Sequence, residues 1–158
     1  LGDVYKRQVQ PELYEYCIVK LVLQPILENA INYGVGSMDD CGEIKVTGRM
    51  QGENIILSVT DNGLGMTEEE VDLILTDSKR IRKHGSGVGL VNVNNRIQIL
   101  FGKEYGLVVE SEPDEGTTVS ICIPAVLYTE DNREDLEKGR MFRKEETAKE
   151  VQVKRDDE

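Results

Sequence analysis

Two alternating stretches separated by three residues place the strongest constraint on how this chain folds. They are Glu43-Ile44-Lys45-Val46-Thr47-Gly48-Arg49-Met50 and Asn54-Ile55-Ile56-Leu57-Ser58-Val59-Thr60-Asp61, with Gln51-Gly52-Glu53 between them. A period of two assigns alternate side chains to opposite faces of a strand, and a glycine in so short a connection supplies the backbone freedom of a hairpin turn. The pair therefore predicts an antiparallel hairpin, with Ile44, Val46, Ile55, Leu57 and Val59 facing the core. Its second strand runs directly into Asp61-Asn62-Gly63-Leu64-Gly65-Met66.

The segment before the hairpin has helical rather than strand periodicity. Over residues 18–34, Val19, Val22, Leu23, Ile26, Leu27, Ala30 and Ile31 recur at the spacing of a buried helical face. Gln24, Glu28 and Asn32 fall on the opposite side, with Asn29 at the border. Side-chain amides with a single acid suit coordination better than solubility, although an ordinary core helix with a polar back fits the same pattern. Pro25 lacks a backbone donor, so a local kink is expected. Gly34, Gly36 and Gly42 end the helix and make a loop.

After the hairpin, Thr67-Glu68-Glu69-Glu70 reads as a capping box opening a short helix over residues 68–76. Asp77 to His84 is charged and irregular, a solvated loop or a lid. Gly85-Ser86-Gly87-Val88-Gly89-Leu90 opens a second long helix over residues 88–101, with Leu90, Val93, Ile97 and Leu100 in helical period and Gly102 closing it. Two more strands, 107–111 and 117–124, flank the turn-rich Glu112-Pro113-Asp114-Glu115-Gly116. Residues 1–17 read as a strand remnant or lead-in loop, with 1–9 set apart as a lead-in that can be foreign to the native domain. Residues 10–125 then form the folded domain, and 126–158 a charged tail, helical or disordered.

Composition excludes several functions. A net charge of −11 leaves no basic footprint for a nucleic-acid backbone. Cys17, Cys41 and Cys122 are scattered, and His84 is the only histidine, so neither a disulfide framework nor a zinc site is expected. No apolar run reaches transmembrane length, and the chain is expected to be soluble. Its start at Leu1 points to a fragment of something longer.

Three constellations stand in order: the amide-and-acid helix, Asp61-x-Gly63-x-Gly65, and Gly85-x-Gly87-x-Gly89. A buried aspartate at a strand end accepts a hydrogen bond from an exocyclic amine such as that of adenine. Glycines two and four residues beyond it let backbone approach the base. A glycine cluster at a helix N-terminus offers free N–H groups to phosphates. An amide such as Asn29 offers Mg²⁺ a hard oxygen. Each motif has a plainer reading: Asp-x-Gly alone is usually a turn, and Asp61 with Glu28 could be an acid–base pair. A dinucleotide fingerprint is rejected because a charged loop precedes the Gly85 cluster, and no Gly-Lys-[Ser/Thr] is present.

The order resembles the superfamily of gyrase, MutL, the ninety-kilodalton heat-shock chaperone and sensor histidine kinases, known together as the GHKL ATPases. Glu28-Asn29-Ala30 looks like its N box, Asp61 to Met66 its G1 box, and Gly85 to Leu90 its G2 box, with Gly116-Thr117 its last element. Gln24-Pro25-x-x-Glu28-Asn29-Ala30 and Gly89-Leu90-Val91-Asn92-Val93-x-x-Arg96 are similar to the YesM/LytS-type sensor kinases. The resemblance implies a two-layer α/β sandwich (the Bergerat ATPase fold), with a mixed, mostly antiparallel sheet and helices on one face.

It also implies roles. Asn29 would be the Mg²⁺ ligand and Glu28 the candidate catalytic acid beside it. Asp61 would read adenine, with Gly63, Gly65 and Met66 lining the base pocket and Thr117 supporting Asp61 by hydrogen bonding. Gly85, Ser86, Gly87, Val88, Gly89 and Leu90 would lie beneath the triphosphate, and residues 67–84 would form a lid. Asn32 and Tyr33, also expected at the nucleotide, stand where many relatives have Lys and His, so a cationic phosphate contact is expected to be missing. Pro25 stands where gyrase-like members carry a catalytic Glu, which fits transfer better than hydrolysis. The implied function is the catalytic and ATP-binding domain of a two-component sensor histidine kinase. It would bind Mg·ATP and donate the γ-phosphate to a histidine in a separate dimerisation domain, with a response regulator as the further partner. The implied location is cytoplasmic, the full-length protein being anchored in the bacterial membrane through N-terminal segments. The alternatives are a non-enzymatic ATP-binding module and a serine kinase of the anti-sigma-factor type.

Overall fold

Five strands make one sheet: β1 (Val4–Val9), β2 (Glu43–Gln51), β3 (Asn54–Asp61), β4 (Gly106–Glu112) and β5 (Gly116–Pro124). The computed structural model describes residues 4–16, 22–36, 38, 41–74 and 88–134. Across the sheet the strand order is β1-β2-β3-β5-β4. Only β1 runs parallel to its neighbour, and the other three pairings are antiparallel. The sheet is therefore mixed and mostly antiparallel, as expected. Val4–Val9, within the segment that shows no usable alternation, forms the parallel edge strand, paired from Val4 with Glu43 to Val9 with Gly48. A 3₁₀ turn, Pro11–Glu15, follows it and buries Leu13.

The expected antiparallel hairpin forms. Val46 faces Val59 and Arg49 faces Ile56 across β2 and β3, while Leu57 faces Ile121 across β3 and β5. Alternation sends Ile55, Leu57 and Val59 to the same buried face as Val119, Ile121 and Ile123. Ile44 is also buried, but Val46 is only half-buried. The opposite face carries hydroxyls, and these pair across strands. Ser58 Oγ lies 2.8 Å from Ser120 Oγ, and Thr60 Oγ1 lies 3.0 Å from Thr118 Oγ1.

Among the described residues of the first unit, Leu1–Leu127, three α-helices accompany the sheet: α1 (Leu23–Asn29), α2 (Glu68–Ile74) and α3 (Val88–Phe101). Helix α3 buries Leu90, Val93, Ile97 and Phe101, one per turn, so its stripe faces β4 and β5. Helix α1 buries Val22, Ile26 and Ala30 and packs on α3. In the described residues it starts at Leu23, which puts Pro25 in its first turn. There a missing N–H breaks no intrahelical bond, so the expected kink has no cause. The irregularity comes later, where Ala30–Val35 widens into a π-helical turn. The wider turn rotates the following residues. Gly34 points inward and Ile31, expected in the core, is 38% exposed. Val19 lies outside the described residues.

The capping box forms as predicted. Thr67 N–H donates to Glu70 Oε2 at 2.9 Å, and Glu70 N–H reaches Thr67 Oγ1 at 3.4 Å. In the second unit, Tyr128–Glu158, Thr129 N–H donates to Asn132 Oδ1 at 2.9 Å. The remainder of the expected tail, 135–158, lies outside the described residues.

One close approach joins the π turn to the sheet. A Cβ on Gly63 would overlap the Gly34 carbonyl, whereas a Cβ on Gly52, in the hairpin turn, would meet nothing within 4 Å. Gly63→Ala should therefore lower unfolding free energy by about 2–3 kcal/mol through overpacking. Gly52→Ala, with only its φ of +61° against it, should cost about 1 kcal/mol. Urea unfolding of the two variants measures the difference, and equal losses would contradict the packing described.

Candidate functional site

The site is built on the last row of the sheet. Ile44 pairs with Asp61, Asp61 with Thr117, and Thr117 with Ser111, so four strands contribute to one row. Because paired residues share a face, all four lie on the face covered by helices. Asp61 ends β3 and is only 5% exposed. Its Oδ1 accepts the Gly63 N–H at 3.0 Å, a local turn that an aspartate at this spacing favours. The Thr117 backbone N–H also donates to the carboxylate. Burial pushes the Asp61 carboxyl above its ordinary value of 3.8, and the two N–H groups draw it back only in part. A carboxylate desolvated to this extent suits a ligand that brings its own N–H donors.

Backbone packs closely around that carboxylate. A Cβ on Gly34 would sit 2.5 Å from Asp61 Cγ, so the π turn rests on Asp61 itself. Asn62 serves structure rather than a ligand. Its Oδ1 accepts Glu43 N–H at 2.7 Å and its Nδ2 donates to Cys41 O at 3.0 Å, fastening the start of β2 to the end of β3. The rest of the glycine loop leans on the β4–β5 hairpin. Asp114 N–H donates to Leu64 O at 2.7 Å, and Met66 N–H donates to Ser111 Oγ at 2.8 Å. Gly65 has φ +64°, and a Cβ there would strike Glu112 O. That position therefore admits glycine on two counts.

The backbone N–H of Thr117, a residue expected at this site, faces the Asp61 carboxylate. Its hydroxyl instead meets Ser111 Oγ at 2.8 Å. Ser111 escaped the sequence reading, as did the structural part of Asn62. A signal for Ser111 was available: in a hairpin turning through Glu112 to Gly116, Ser111 directly faces Thr117.

Around the N box, Asn29 is half-buried at the end of α1, while Glu28, Asn32 and Tyr33 are exposed, Tyr33 to 44%. Gln24 Nε2 donates to Glu28 Oε1 at 2.8 Å, one turn apart along the polar side. The N-terminal end of α3 lies against α1: a Cβ on Gly89 would come 3.2 Å from Pro25 Cβ. Leu90 is a core residue at 1% exposure, and Val88 is the first residue of α3. Gly85, Ser86 and Gly87 lie outside the described residues, as does the lid expectation from 75 to 84. The residues flanking Glu28-Asn29-Ala30 thus make two close approaches, Pro25 to Gly89 at the start of α3 and Gly34 to Gly63 in the glycine loop.

A cleft of about 440 Å³ opens beside α2 at the ends of β3, β4 and β5. Asp61, Val71, Val109, Ser111 and Thr117 line it, together with Glu68, Glu110, Glu112 and Glu115. Its described lining reaches the Asp61 row but not Asn29 or α3. Among the described residues, no cluster of three or more His, Cys, Asp or Glu could hold a metal ion by itself.

A mixed sheet covered on one face by helices, with a buried carboxylate at its end and the backbone of Gly34 and Gly63 packed on it, defines an α/β sandwich. Residues 18–127 match the family of histidine kinase-, DNA gyrase B- and HSP90-like ATPases, and the chain belongs to this family. It is similar to the protein YwpD of Bacillus subtilis (strain 168), with 39% identity over 69% of this chain and 37% of that protein. It is also similar to the sensor histidine kinase YesM of the same strain, 34% identical over 70% of this chain and 18% of the kinase. The sensor protein LytS of Bacillus anthracis is 33% identical over 75% of this chain and 20% of LytS. The chain thus spans well under half the length of these relatives. Among solved structures, the Acinetobacter baumannii histidine kinase AdeS shares the fold at a TM-score of 0.53 and 20% identity, over 77% of this chain and 53% of that one. The histidine kinase domain of the Erythrobacter litoralis EL346 blue-light activated kinase shares it at 0.51 and 21%, over 76% and 51%.

The raised Asp61 pKa makes a signed prediction. The unfolded chain releases this proton near 3.8, before the folded chain does, so stability falls as pH rises from there through the folded value. In Asp61→Asn that contribution is absent. Thermal melts of both proteins from acid to neutral pH should show the variant gaining on the wild type across this window. A constant difference between them would contradict the burial assigned to Asp61.

Proposed function

We propose that this chain is the catalytic, ATP-binding portion of a sensor histidine kinase, and that Asp61 holds the adenine amine. The observation carrying the proposal is the carboxylate itself: buried, fed by two backbone N–H groups, and lining an open cleft. An exocyclic amine offers the further donor that repays such desolvation. Gly63, Gly65 and Met66 would border the base, with Thr117 beside it. Helix α3 follows the glycine cluster, and its N-terminal end would face the phosphates with Val88, Gly89 and the preceding Gly85, Ser86 and Gly87. Leu90, being buried, would position that turn rather than touch the nucleotide.

Without a protein cluster for a metal among the described residues, the donor chemistry fits an ion held mainly by phosphates and water. Mg²⁺ would take the side-chain oxygen of Asn29, and its charge would shield the phosphate oxygens. Glu28, exposed beside Asn29 and held by Gln24, would tune water near that ion. Pro25, one turn earlier, packs towards Gly89 and supplies no carboxylate to activate water. That favours transfer to an acceptor over hydrolysis. Phosphoryl transfer needs mostly positioning and charge stabilisation, which this scaffold can provide. The acceptor would be a histidine in a dimerisation domain of the same kinase, and a response regulator would then receive the phosphate. Among the described residues no helix is long and apolar enough to cross a membrane. Anchoring would fall to segments outside this sequence.

The exposed Asn32 and Tyr33 offer the phosphates no cation, which leaves a binding module without transfer as the second reading. Calorimetry with ATP and Mg²⁺ tests the binding site. Asp61→Asn should weaken ATP by about ten- to a hundredfold, the worth of a hydrogen bond to a charged group. Asn29→Ala should chiefly remove the dependence on Mg²⁺. Undiminished binding by the Asp61 variant would refute the adenine assignment. Mixing the chain with its dimerisation segment and Mg·ATP should label a histidine there with acid-labile phosphate. ATP binding without any transfer would favour the module instead.

A further inference from the structure

Ser111 sits at the crossing of three hydrogen bonds that tie the glycine loop to the end of the sheet. Its Oγ receives Met66 N–H at 2.8 Å, lies 2.8 Å from Gly116 O, and lies 2.8 Å from Thr117 Oγ1. A hydroxyl has one hydrogen to give and two lone pairs to fill. The Gly116 carbonyl only accepts, so Ser111 spends its hydrogen there. Met66 N–H occupies one lone pair, and the Thr117 hydroxyl must fill the other by donating. The Thr117 hydrogen is thereby turned away from the cleft, and the lone pairs of its oxygen remain to face a ligand.

We infer that Ser111 is a specificity-determining positioning residue: it fixes the Thr117 hydroxyl as an acceptor, so that the row Asp61–Thr117 presents acceptors only. Such a row accommodates a purine with an amino group at position 6 and repels one with a carbonyl oxygen there. The inference rests on the proposal that Asp61 faces the base. Ser111 acts through Thr117 and the loop, and lines the same cleft. Without it, the Thr117 hydroxyl is free to rotate and donate to a carbonyl.

The test is the ratio of affinities for ATP and inosine triphosphate, which carries the carbonyl. The wild-type chain should prefer ATP. Ser111→Ala should reduce that preference by roughly tenfold, about the worth of one hydrogen bond, and Ser111→Thr should restore it. A purely structural role would weaken both nucleotides alike and leave the ratio unchanged, and that result overturns the inference. Should Ser111→Ala fail to fold, Thr117→Val removes the same hydroxyl orientation, and an unchanged ratio there overturns it equally. A wild-type chain that binds no ATP refutes the underlying site, a failure distinct from an unaltered ratio in the variants. A wild-type chain that binds both nucleotides equally overturns the acceptor row and this inference with it.

Discussion

The contact between Gly34, Asp61 and Gly63 holds the site together. A helix end, a strand end and a loop meet there with no side chain between them except the carboxylate. Two glycines permit the approach, and a Cβ on either would displace a neighbour. The π-helical turn over Ala30–Val35 brings Gly34 inward at this point. It costs α1 its regular phase and exposes Ile31. In exchange the backbone of Gly34, four residues past Ala30, lies directly on Asp61, the residue proposed to read adenine. A π turn in such a place is a common device for shaping a functional site.

From that junction support runs in two directions. Toward β2, Asn62 closes the loop before the strand by bonding both Glu43 and Cys41. Toward β4, the hairpin accepts the loop through Ser111, Asp114 and Glu112. The glycine loop is therefore clamped on both sides, although Leu64 at its tip stays exposed. Asp61 carries its desolvation within this rigid frame. Its raised pKa and the cleft beside it go together: burial disfavours the charged form even though backbone N–H groups meet the carboxylate.

Much of this was legible from residue order. The β2–β3 hairpin, the capping box at Thr67 and Glu70, and the stripe of α3 depend on local periodicity, and local chemistry decides them. A strand within residues 1–17 was one of two readings, but the pairing of β1 was not legible. Its partners lie some forty residues away, from Glu43 to Gly48, and nothing within Val4–Val9 announces that pairing. The π turn was equally hidden, because helical periodicity assumes a constant turn and places Ile31 inside. Pro25 misled for a related reason: its effect depends on where the helix begins. Asp61 and Thr117 were singled out by type and position, but the contact of the Thr117 hydroxyl with Ser111 was not. That serine became visible only through cross-strand register. The sequence expectations for Gly85, Ser86 and Gly87 fall on residues outside those described.

Everything proposed for this site turns on Asp61, framed by Gly34 and Gly63, holding the exocyclic amine of ATP. A crystal structure of this chain with Mg²⁺ and a non-hydrolysable ATP analogue tests it most directly. The adenine amino group should lie within hydrogen-bonding distance of the Asp61 carboxylate, with the phosphates running towards the N-terminus of α3 and Asn29. An adenine bound elsewhere, with the Asp61 carboxylate touching no part of the nucleotide, would contradict it.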